Sequence, residues 1–347
     1  MRPSPRWPDP ERLSVIVVYS TPLTDRFRGL RARDGVLVHG PAGWGEFSPF
    51  WDYDDATCIS WLRAAVAAAT EPFPEARRTR VAVNAIVPAV GPERARAIVA
   101  EAGCTTVKVT VAQAGQRLRD DRDRVAAVRE ALGPSGAIRI DANAAWTLAE
   151  ASDAVPALDR AAGGLQYAEQ PVADVADLAR LRRRIAVPVA ADESIRRAED
   201  PLAVRRARAA DVVVMKVQPL GGVAACLRLA EQIDLPVVVS SALESSVGIA
   251  QGVALAAALP PVDDERFAQP DGAPLAAGLG TVRLFRDDVA ATPLIPEGGW
   301  LPVGRVEPDT VPVAPPDVQR RWHERLGRVA DLAGINLAGL DPQGVVG

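Results

Sequence analysis

The sequence has few cysteines, no long apolar run and no concentration of basic residues. Its three cysteines, Cys58, Cys104 and Cys226, lack metal-motif spacing, which is typical of free thiols in a reducing cytoplasm. No apolar run reaches the roughly 18 residues of a membrane span, and residues 1–13 contain prolines and charges unlike a secretion signal. The net charge is −4. We therefore expect a cytoplasmic protein that binds neither a membrane nor nucleic acid.

Lysine and histidine are also scarce. Of the 40 lysines and arginines, only Lys108 and Lys216 are lysines, and the two histidines are His39 and His323. Both lysines lie inside apolar, strand-like segments, where a surface lysine is not expected. His39 lies in the N-terminal part of the sequence and His323 in a predicted helix near the C-terminus, so neither stands at the end of such a strand. A general base at those strand ends would therefore be a lysine.

From Val81 onward, short apolar strands alternate with amphipathic helices. About seven strand–helix units follow one another, and alternation of this kind predicts a parallel sheet. No Gly-x-Gly-x-x-Gly motif follows the first strand, which counts against a dinucleotide-binding fold. The pattern predicts an α/β protein with a modified (β/α)8, TIM-like barrel. The barrel, of (β/α)7β type, is predicted at 81–285 with its eighth strand within 275–285, and an N-terminal α+β capping domain at 1–80, completed by part of 286–347.

Polar residues stand at the carboxyl ends of the predicted barrel strands, where barrel enzymes hold their active sites. Asp141, Glu169 and Asp192 end the third, fourth and fifth strands, and three converging carboxylates suit Mg²⁺, with Mn²⁺ as a substitute. Each acid alone has a structural explanation as a turn, rim or helix-cap residue. Three at successive strand ends favour a metal site. The other polar residues at strand ends are Lys108, Thr110, Asn143, Glu193, Lys216, Ser240 and Ser241.

The two lysines would lie on opposite sides of this metal. Lys108 belongs to the second strand and Lys216 to the sixth, so they face each other across the barrel. An ammonium group beside a divalent cation loses its proton more readily, and the amine can then remove a proton. This combination predicts metal-assisted proton abstraction, with a metal-stabilised ene-diolate as in enolase-type sites.

Several stretches together resemble the o-succinylbenzoate synthase family of the enolase superfamily, in its actinobacterial form. They are TTVKVTVA, RIDANAAW, YAEQP, AADESIRRAEDP, VVMKVQPLGG and SSALESSVG, with FRG and GWGEFSPF near the N-terminus. The resemblance implies an enolase-type barrel and a hydro-lyase of menaquinone biosynthesis. Its substrate would be a small carboxylate, 2-succinyl-6-hydroxy-2,4-cyclohexadiene-1-carboxylate (SHCHC), dehydrated in syn fashion to 2-succinylbenzoate.

The resemblance also implies roles for individual residues. Asp141, Glu169 and Asp192 would bind Mg²⁺, and Lys216 would hold the enolate opposite the base. The residues implied to support the site or to hold the substrate are Arg28 in the lid loop, Arg139, Asn143, Ser240, Ser241 and Ser245.

The chain departs from the family pattern on the second barrel strand, where the family has Lys-x-Lys. Lys108 matches the first lysine, and Thr110 stands where the second lysine, the base, belongs. A threonine hydroxyl stays protonated near neutral pH and cannot act as that base. Three explanations stay open: a variant whose parent has lysine at 110, proton transfer by Lys108 or Lys216, or a relative with little dehydratase activity.

Two other functions stay open. An N-succinylamino acid racemase or dipeptide epimerase of the same superfamily needs bases on both faces of the α-carbon, so the threonine harms it too. Dipeptide epimerases also carry Asp-x-Asp on the eighth strand, and APLAAGLGT has no acid. The second alternative is a catalytically silent protein that binds a metal or ligand. The sequence leaves the oligomeric state open.

Overall fold

The computed structural model describes residues 13–27, 29–198, 200–267, 274–335 and 337. Its N-terminal part is an antiparallel sheet with one helix against it. The strands β1 (Val15–Phe27), β2 (Leu30–Gly40) and β3 (Gly43–Phe47) pair in that order, and α1 (Ile59–Thr70) packs on β3. This packing is close because β3 carries glycine: a Cβ on Gly45 would lie 2.0 Å from the carbonyl oxygen of Ala65.

A parallel sheet of seven neighbouring strands follows β4 (Arg80–Ala82), and each strand pairs with the next one along the chain. Apolar residues fill these strands because both faces are buried, one against the surrounding helices and one inside the curled sheet. The strands are β5 (Ala85–Val87), β6 (Thr106–Thr110), β7 (Ala137–Asp141), β8 (Tyr167–Glu169), β9 (Val189–Ala191), β10 (Val212–Lys216) and β11 (Val237–Ser240). The helices between and after them are α2 (Pro92–Ala102), α3 (Leu118–Leu132), α4 (Leu148–Ala162), α5 (Val175–Arg182), α6 (Glu193–Arg196), α7 (Ala203–Arg206), α8 (Val223–Ile233) and α9 (Ser246–Ala258).

In the described part of the chain, two residues rather than a full eighth strand connect the last barrel strand to the short segment between β4 and the first barrel strand, β5. Ala277 forms a parallel bridge to Val83, and Gly278 forms one to Ser240. The closing segment lies within the predicted range of 275–285, and a 3₁₀ turn at Gly280–Leu284 follows it. Gly278 fits where a larger residue does not, because a Cβ there would lie 2.7 Å from the Oγ of Ser240.

An apolar cluster fills the inside of the barrel, and the polar residues lie at the carboxyl edge of the sheet. Its buried members are Tyr167, Ala190, Val212, Val214, Val238, Phe267 and Leu275. On β6 the buried Val107 and Val109 alternate with the less buried Lys108 and Thr110. Because side chains alternate along a strand, Lys108 and Thr110 share one face.

The C-terminal segment lies against the N-terminal sheet. β12 (Trp300–Pro302) pairs with β4, and the amide of Ala314 donates to the carbonyl of Val18 at 2.9 Å. The helix α10 (Pro316–Ala333) packs on α1. In the described ranges, no helix combines the length and the apolarity that crossing a bilayer requires.

The apolar stretch VAVNAIV, with which the predicted barrel begins at Val81, has the pattern of one strand but is divided in the structure. Its first part belongs to β4, which pairs with β12, and its last part is β5 of the barrel. The division falls at Asn84, which is buried and whose Nδ2 donates to the carbonyl of Ala85 at 3.1 Å. A run of apolar residues gives no sign of this change of partner, which depends on contacts far along the chain.

Candidate active site

Lys108, Asp141 and Glu169 meet at the carboxyl ends of three neighbouring strands. The register places Thr110 opposite Asp141, and Asp141 opposite Glu169. The Nζ of Lys108 donates to Asp141 Oδ2 at 2.8 Å and to Glu169 Oε1 at 2.9 Å. The side chain of Glu169 is only 1% exposed, so this ammonium group bridges two carboxylates that are largely removed from water.

Lys216 and Asp192 form a second ion pair on the next strands. Lys216 Nζ donates to Asp192 Oδ2 at 2.6 Å, and Arg196 Nε donates to the other oxygen, Oδ1, at 2.9 Å. Arg196 also donates to Glu193 and to the hydroxyl of Tyr53 in the N-terminal part. Arg196 was not predicted as a site residue, although its position four residues after Asp192 on a helix was a usable signal.

The pKa values of Glu169 and Asp192 are shifted in opposite directions. Burial, followed by the charges of Asp141 and Asp192, raises the pKa of Glu169 to about 8 against the pull of the two lysines. Burial also disfavours the charged form of Asp192, but Lys216 and Arg196 outweigh it and hold its pKa well below the ordinary value. Burial likewise opposes the charge of Lys108, and Asp141 and Glu169 outweigh it, so its pKa lies well above the ordinary value. The region around Glu169 therefore favours additional positive charge.

The donor set suits a hard divalent cation, because it consists of buried carboxylate oxygens on neighbouring strands. Within the described ranges, however, no three His, Cys, Asp or Glu side chains lie in an arrangement that could hold a metal ion. The ion pairs give the physical reason: Asp141 and Glu169 share the ammonium group of Lys108, and Asp192 is bonded to Lys216 and Arg196. The ligand set Asp141, Glu169 and Asp192 therefore stays a prediction.

Arg139 and Asn143, predicted to support the site, lie on either side of Asp141. Arg139 is fully buried inside the barrel, where Nη1 donates to Asn84 Oδ1 at 3.0 Å and to the carbonyl of Ala276 at 2.7 Å. It thereby ties the third strand to the segment that closes the barrel. Asn143 is exposed, and its backbone amide donates to Asp141 Oδ1 at 3.0 Å, which orients that carboxylate. Arg28 lies outside the described residues.

The three predicted serines lie at the end of β11 and at the start of α9. Ser240 is buried beside Gly278, and the Oγ of Ser241 is 2.8 Å from the Oγ1 of Thr281. Ser245 stands at the N-cap of α9, where its amide and hydroxyl both donate to the carboxylate of Glu46.

Glu46 was missed as an important residue. It is fully buried on β3 and accepts hydrogen bonds from Tyr19, Ser48, Ser245 and the amide of Gly248. The carboxylate thus caps the N-terminus of α9 from the N-terminal sheet, where the helix dipole favours negative charge. A lone acid within the apolar stretch GWGEFSPF was the available signal.

Comparisons with known proteins identify the family of the chain. The chain matches the family models for the Enolase N-terminal domain-like region at residues 18–69 and the Enolase C-terminal domain-like region at residues 92–308. An o-succinylbenzoate synthase of Thermobifida fusca (strain YX) is 54% identical over 309 residues, which cover 89% of this chain and 93% of that protein. The o-succinylbenzoate synthase of Mycobacterium leprae (strain TN) is 49% identical over 316 residues, 90% of each chain.

The chain belongs to the o-succinylbenzoate synthase family of the enolase superfamily. The predicted family, its lyase class and its place in menaquinone biosynthesis are thereby confirmed. Enzymes of this superfamily generally use a divalent metal ion.

Solved structures of the superfamily share the fold. The L-Ala-D/L-Glu epimerase from Bacillus subtilis superposes with a TM-score of 0.70 at 20% identity, over 88% of this chain and 99% of that one. The N-succinyl Arg/Lys racemase from Bacillus cereus ATCC 14579 gives 0.67 at 18% identity, over 89% and 97%. The predicted enolase-type barrel with an N-terminal cap is therefore confirmed.

Proposed function

We propose that the chain acts on SHCHC at the carboxyl edge of the barrel, dehydrating it to 2-succinylbenzoate with an efficiency limited by Thr110. The observation that carries this proposal is the meeting of Lys108 and Lys216 with buried carboxylates on neighbouring strands. Family membership supplies the reaction class. The protein would act on a small carboxylate in the cytoplasm. It would bind neither nucleic acid nor a membrane.

Asp141, Glu169 and Asp192 would hold Mg²⁺, with Mn²⁺ as a substitute. When bound, a divalent ion supplies Lewis-acid stabilisation for negative charge that develops on a substrate carboxylate as a proton leaves the neighbouring carbon. The raised pKa of Glu169, caused by burial and by the other two acids, supports this assignment, since such a cluster gains from a cation.

The lysines would divide the work on the substrate between them. Lys216, on the sixth barrel strand, would hold the enolate by its charge, and Ser240 and Ser241 would help to hold the succinyl carboxylate. Ser245 gives its amide and its hydroxyl to Glu46 and would support this region by fixing the start of α9. Lys108 donates to two carboxylates, which supports a binding role rather than that of a free amine base. At the position of the family's base, Thr110 offers only a hydroxyl, so proton removal is the step that limits the rate.

The substitution Thr110→Lys tests this proposal. Dehydration of SHCHC, followed by its change in ultraviolet absorbance with Mg²⁺ present, should rise by about 10²–10⁴-fold, the usual contribution of a positioned base. Thr110→Val is the matched control, because it keeps the shape and removes the hydroxyl, and it should leave the rate unchanged.

Two outcomes would contradict the proposal in different ways. If the unmodified chain turns over SHCHC as fast as Thr110→Lys, the role assigned to position 110 is wrong. If Thr110→Lys binds Mg²⁺ and 2-succinylbenzoate but leaves SHCHC unchanged, the proposed reaction is wrong.

Thr110 also favours a second candidate, a protein that binds the metal and the ligand without turnover. For that protein, Mg²⁺ together with 2-succinylbenzoate would raise the melting temperature, because ligands that bind only the folded state stabilise it. Dehydration of SHCHC by the unmodified chain at any rate above the uncatalysed one would exclude this candidate.

A further inference from the structure

The loop of residues 241–245, which joins β11 to α9, has an unusual backbone conformation at its centre. Leu243 has a φ of 64°, in the left-handed region that few residues other than glycine adopt. The residue is only 2% exposed and belongs to the apolar core. A leucine in this conformation costs free energy and persists only where its surroundings hold it. Contacts from elsewhere in the molecule must therefore fix this loop.

Arg33 of the N-terminal sheet supplies such contacts. Its Nε donates to the carbonyl of Leu243 at 2.8 Å, and its Nη2 donates to the carbonyl of Ala242 at 3.3 Å. Nη2 also donates to the carbonyl of Ser48, and the guanidinium carbon lies 4.5 Å from the ring centre of Phe50. Arg33 is 2% exposed, so water does not compete for these hydrogen bonds. The guanidinium group thus holds the middle of the loop against the N-terminal sheet.

Other groups anchor the two ends of the loop. At its beginning, the amide of Ser241 donates to the carbonyl of Gly278 at 3.1 Å. At its end, the amide of Ser245 donates to Glu46. Without Arg33 the ends would stay in place, but Leu243 could relax to an ordinary φ. The backbone two residues earlier, at Ser241, would then turn with it.

The loop begins beside the candidate active site. Ser240 is paired in register with Lys216 on the neighbouring strand. Ser241 is partly exposed, whereas the rest of the loop is buried. Unusual backbone conformations cluster at ligand-binding sites, where they hold binding groups in position before the ligand arrives. The shape of this loop therefore determines where the hydroxyl of Ser241 lies relative to Lys216.

We propose that Arg33 is a positioning residue for substrate binding. It holds Leu243 in the left-handed conformation and thereby keeps Ser241 in place for the succinyl carboxylate, while its own buried guanidinium group stays out of contact with the substrate. The inference rests on the proposed function, in which Ser241 helps to hold that carboxylate.

Calorimetric titration of the Mg²⁺-loaded protein with 2-succinylbenzoate tests this inference without turnover. Arg33→Met keeps an unbranched side chain but removes the donors. It should raise the dissociation constant about tenfold, as expected if the loop then adopts the binding conformation about a tenth of the time. Arg33→Lys keeps the charge but not the planar fork of donors, so it should raise the constant about threefold. This second variant decides the question if Arg33→Met does not fold.

Arg129→Met is the matched control. Like Arg33, Arg129 donates to three backbone carbonyls, those of Ala162, Gly133 and Gly136, but it does so at the amino edge of the barrel. Its loss should leave the affinity for 2-succinylbenzoate unchanged. Ser241→Ala is the positive control and should weaken binding, because it removes the hydroxyl that Arg33 is proposed to position.

Two further measurements separate positioning from a general loss of structure. Binding of Mn²⁺, followed by electron paramagnetic resonance, should be the same in Arg33→Met as in the unmodified chain, because the loop contains none of the proposed metal ligands. In the Thr110→Lys protein, addition of Arg33→Met should raise the KM for SHCHC about tenfold and leave kcat within about threefold. Loss of an interaction made equally in the ground and transition states raises KM alone.

The outcomes distinguish this inference from the proposed function. If Ser241→Ala weakens binding but neither variant of Arg33 does, the inference is wrong and the proposed function stands. If Ser241→Ala binds 2-succinylbenzoate as tightly as the unmodified chain, the role proposed for this serine is wrong and the inference falls with it. An equal loss of ligand affinity in Arg129→Met, or a tenfold loss of Mn²⁺ affinity in Arg33→Met, would indicate general destabilisation and would overturn the inference as well.

Discussion

Replacing Glu244 by glutamine should make the stability of the protein less dependent on pH. Glu244 lies in the loop between β11 and α9, is 3% exposed, and accepts a hydrogen bond from the amide of Ala242 at 2.6 Å. Burial, reinforced by the nearby charge of Glu46, raises its pKa from 4.5 to about 7. The folded state therefore binds more protons than the unfolded state between these two values, and stability falls as the pH rises through this window.

The magnitude follows from the difference of about 2.5 pH units, each worth about 1.36 kcal/mol. The full penalty on the ionised carboxylate is roughly 3 kcal/mol, and most of it develops between about pH 5 and pH 8. Glutamine resembles the protonated acid in shape and stays neutral, and its carbonyl oxygen can still accept from Ala242. Relative to the unmodified protein, Glu244→Gln should thus gain about 2–3 kcal/mol of unfolding free energy across this interval.

Urea unfolding followed by tryptophan fluorescence, repeated across the pH range, measures this difference. Glu231→Gln, which makes the same substitution at an exposed glutamate on α8, is the matched control for the loss of one charge. A constant difference between Glu244→Gln and the unmodified protein would show that Glu244 is ionised in the folded state throughout, and the reasoning from burial and from Glu46 would fail.

Three further predictions concern packing, capping and the metal. Gly45→Ala should lower the free energy of unfolding by about 3 kcal/mol or more, because its methyl group would overlap the backbone of α1; urea unfolding checks this, and a smaller loss means that α1 shifts freely. Glu46→Gln should cost about 2–3 kcal/mol, because an amide N–H₂ would face donors such as Tyr19 and Ser245; an unchanged melting curve would contradict it. Chelation by EDTA should abolish the SHCHC turnover of Thr110→Lys, and Mg²⁺ should restore it; activity that survives chelation would exclude the metal.

Sequence reasoning predicted the parts of the site that follow from strand order. Asp141, Glu169 and Asp192 could be placed together because parallel strands end at one edge of the sheet, and alternating strands and helices identify that edge. The same argument placed Lys108 and Thr110 on one face of β6. The alternation of strands and helices is sufficient to place these residues, because the barrel is built from one repeated strand–helix unit.

The contacts across the chain were beyond sequence reasoning. Glu46 and Ser245 are 199 residues apart, and nothing in either segment indicates that the carboxylate caps α9. The division of VAVNAIV between two sheets and the reduction of the eighth strand to two bridges likewise depend on partners distant in sequence. Ion pairs such as Lys108 with Glu169 require side-chain conformations that strand order does not determine.

The closing segment of the barrel has a consequence for the order in which the molecule opens. Ala277 and Gly278 make four backbone hydrogen bonds, two to Ala82 and Asn84 just before the first barrel strand and two to Val239 and Ser241 at the last one. Every other pair of neighbouring barrel strands is joined by its own ladder of hydrogen bonds. The barrel can therefore open at Ala277 and Gly278 into a curled sheet without losing any of those ladders. In hydrogen exchange, the amides of Ala277 and Gly278 should therefore exchange before those of β6 and β10, and the barrel would open first at the strand that carries Ser240.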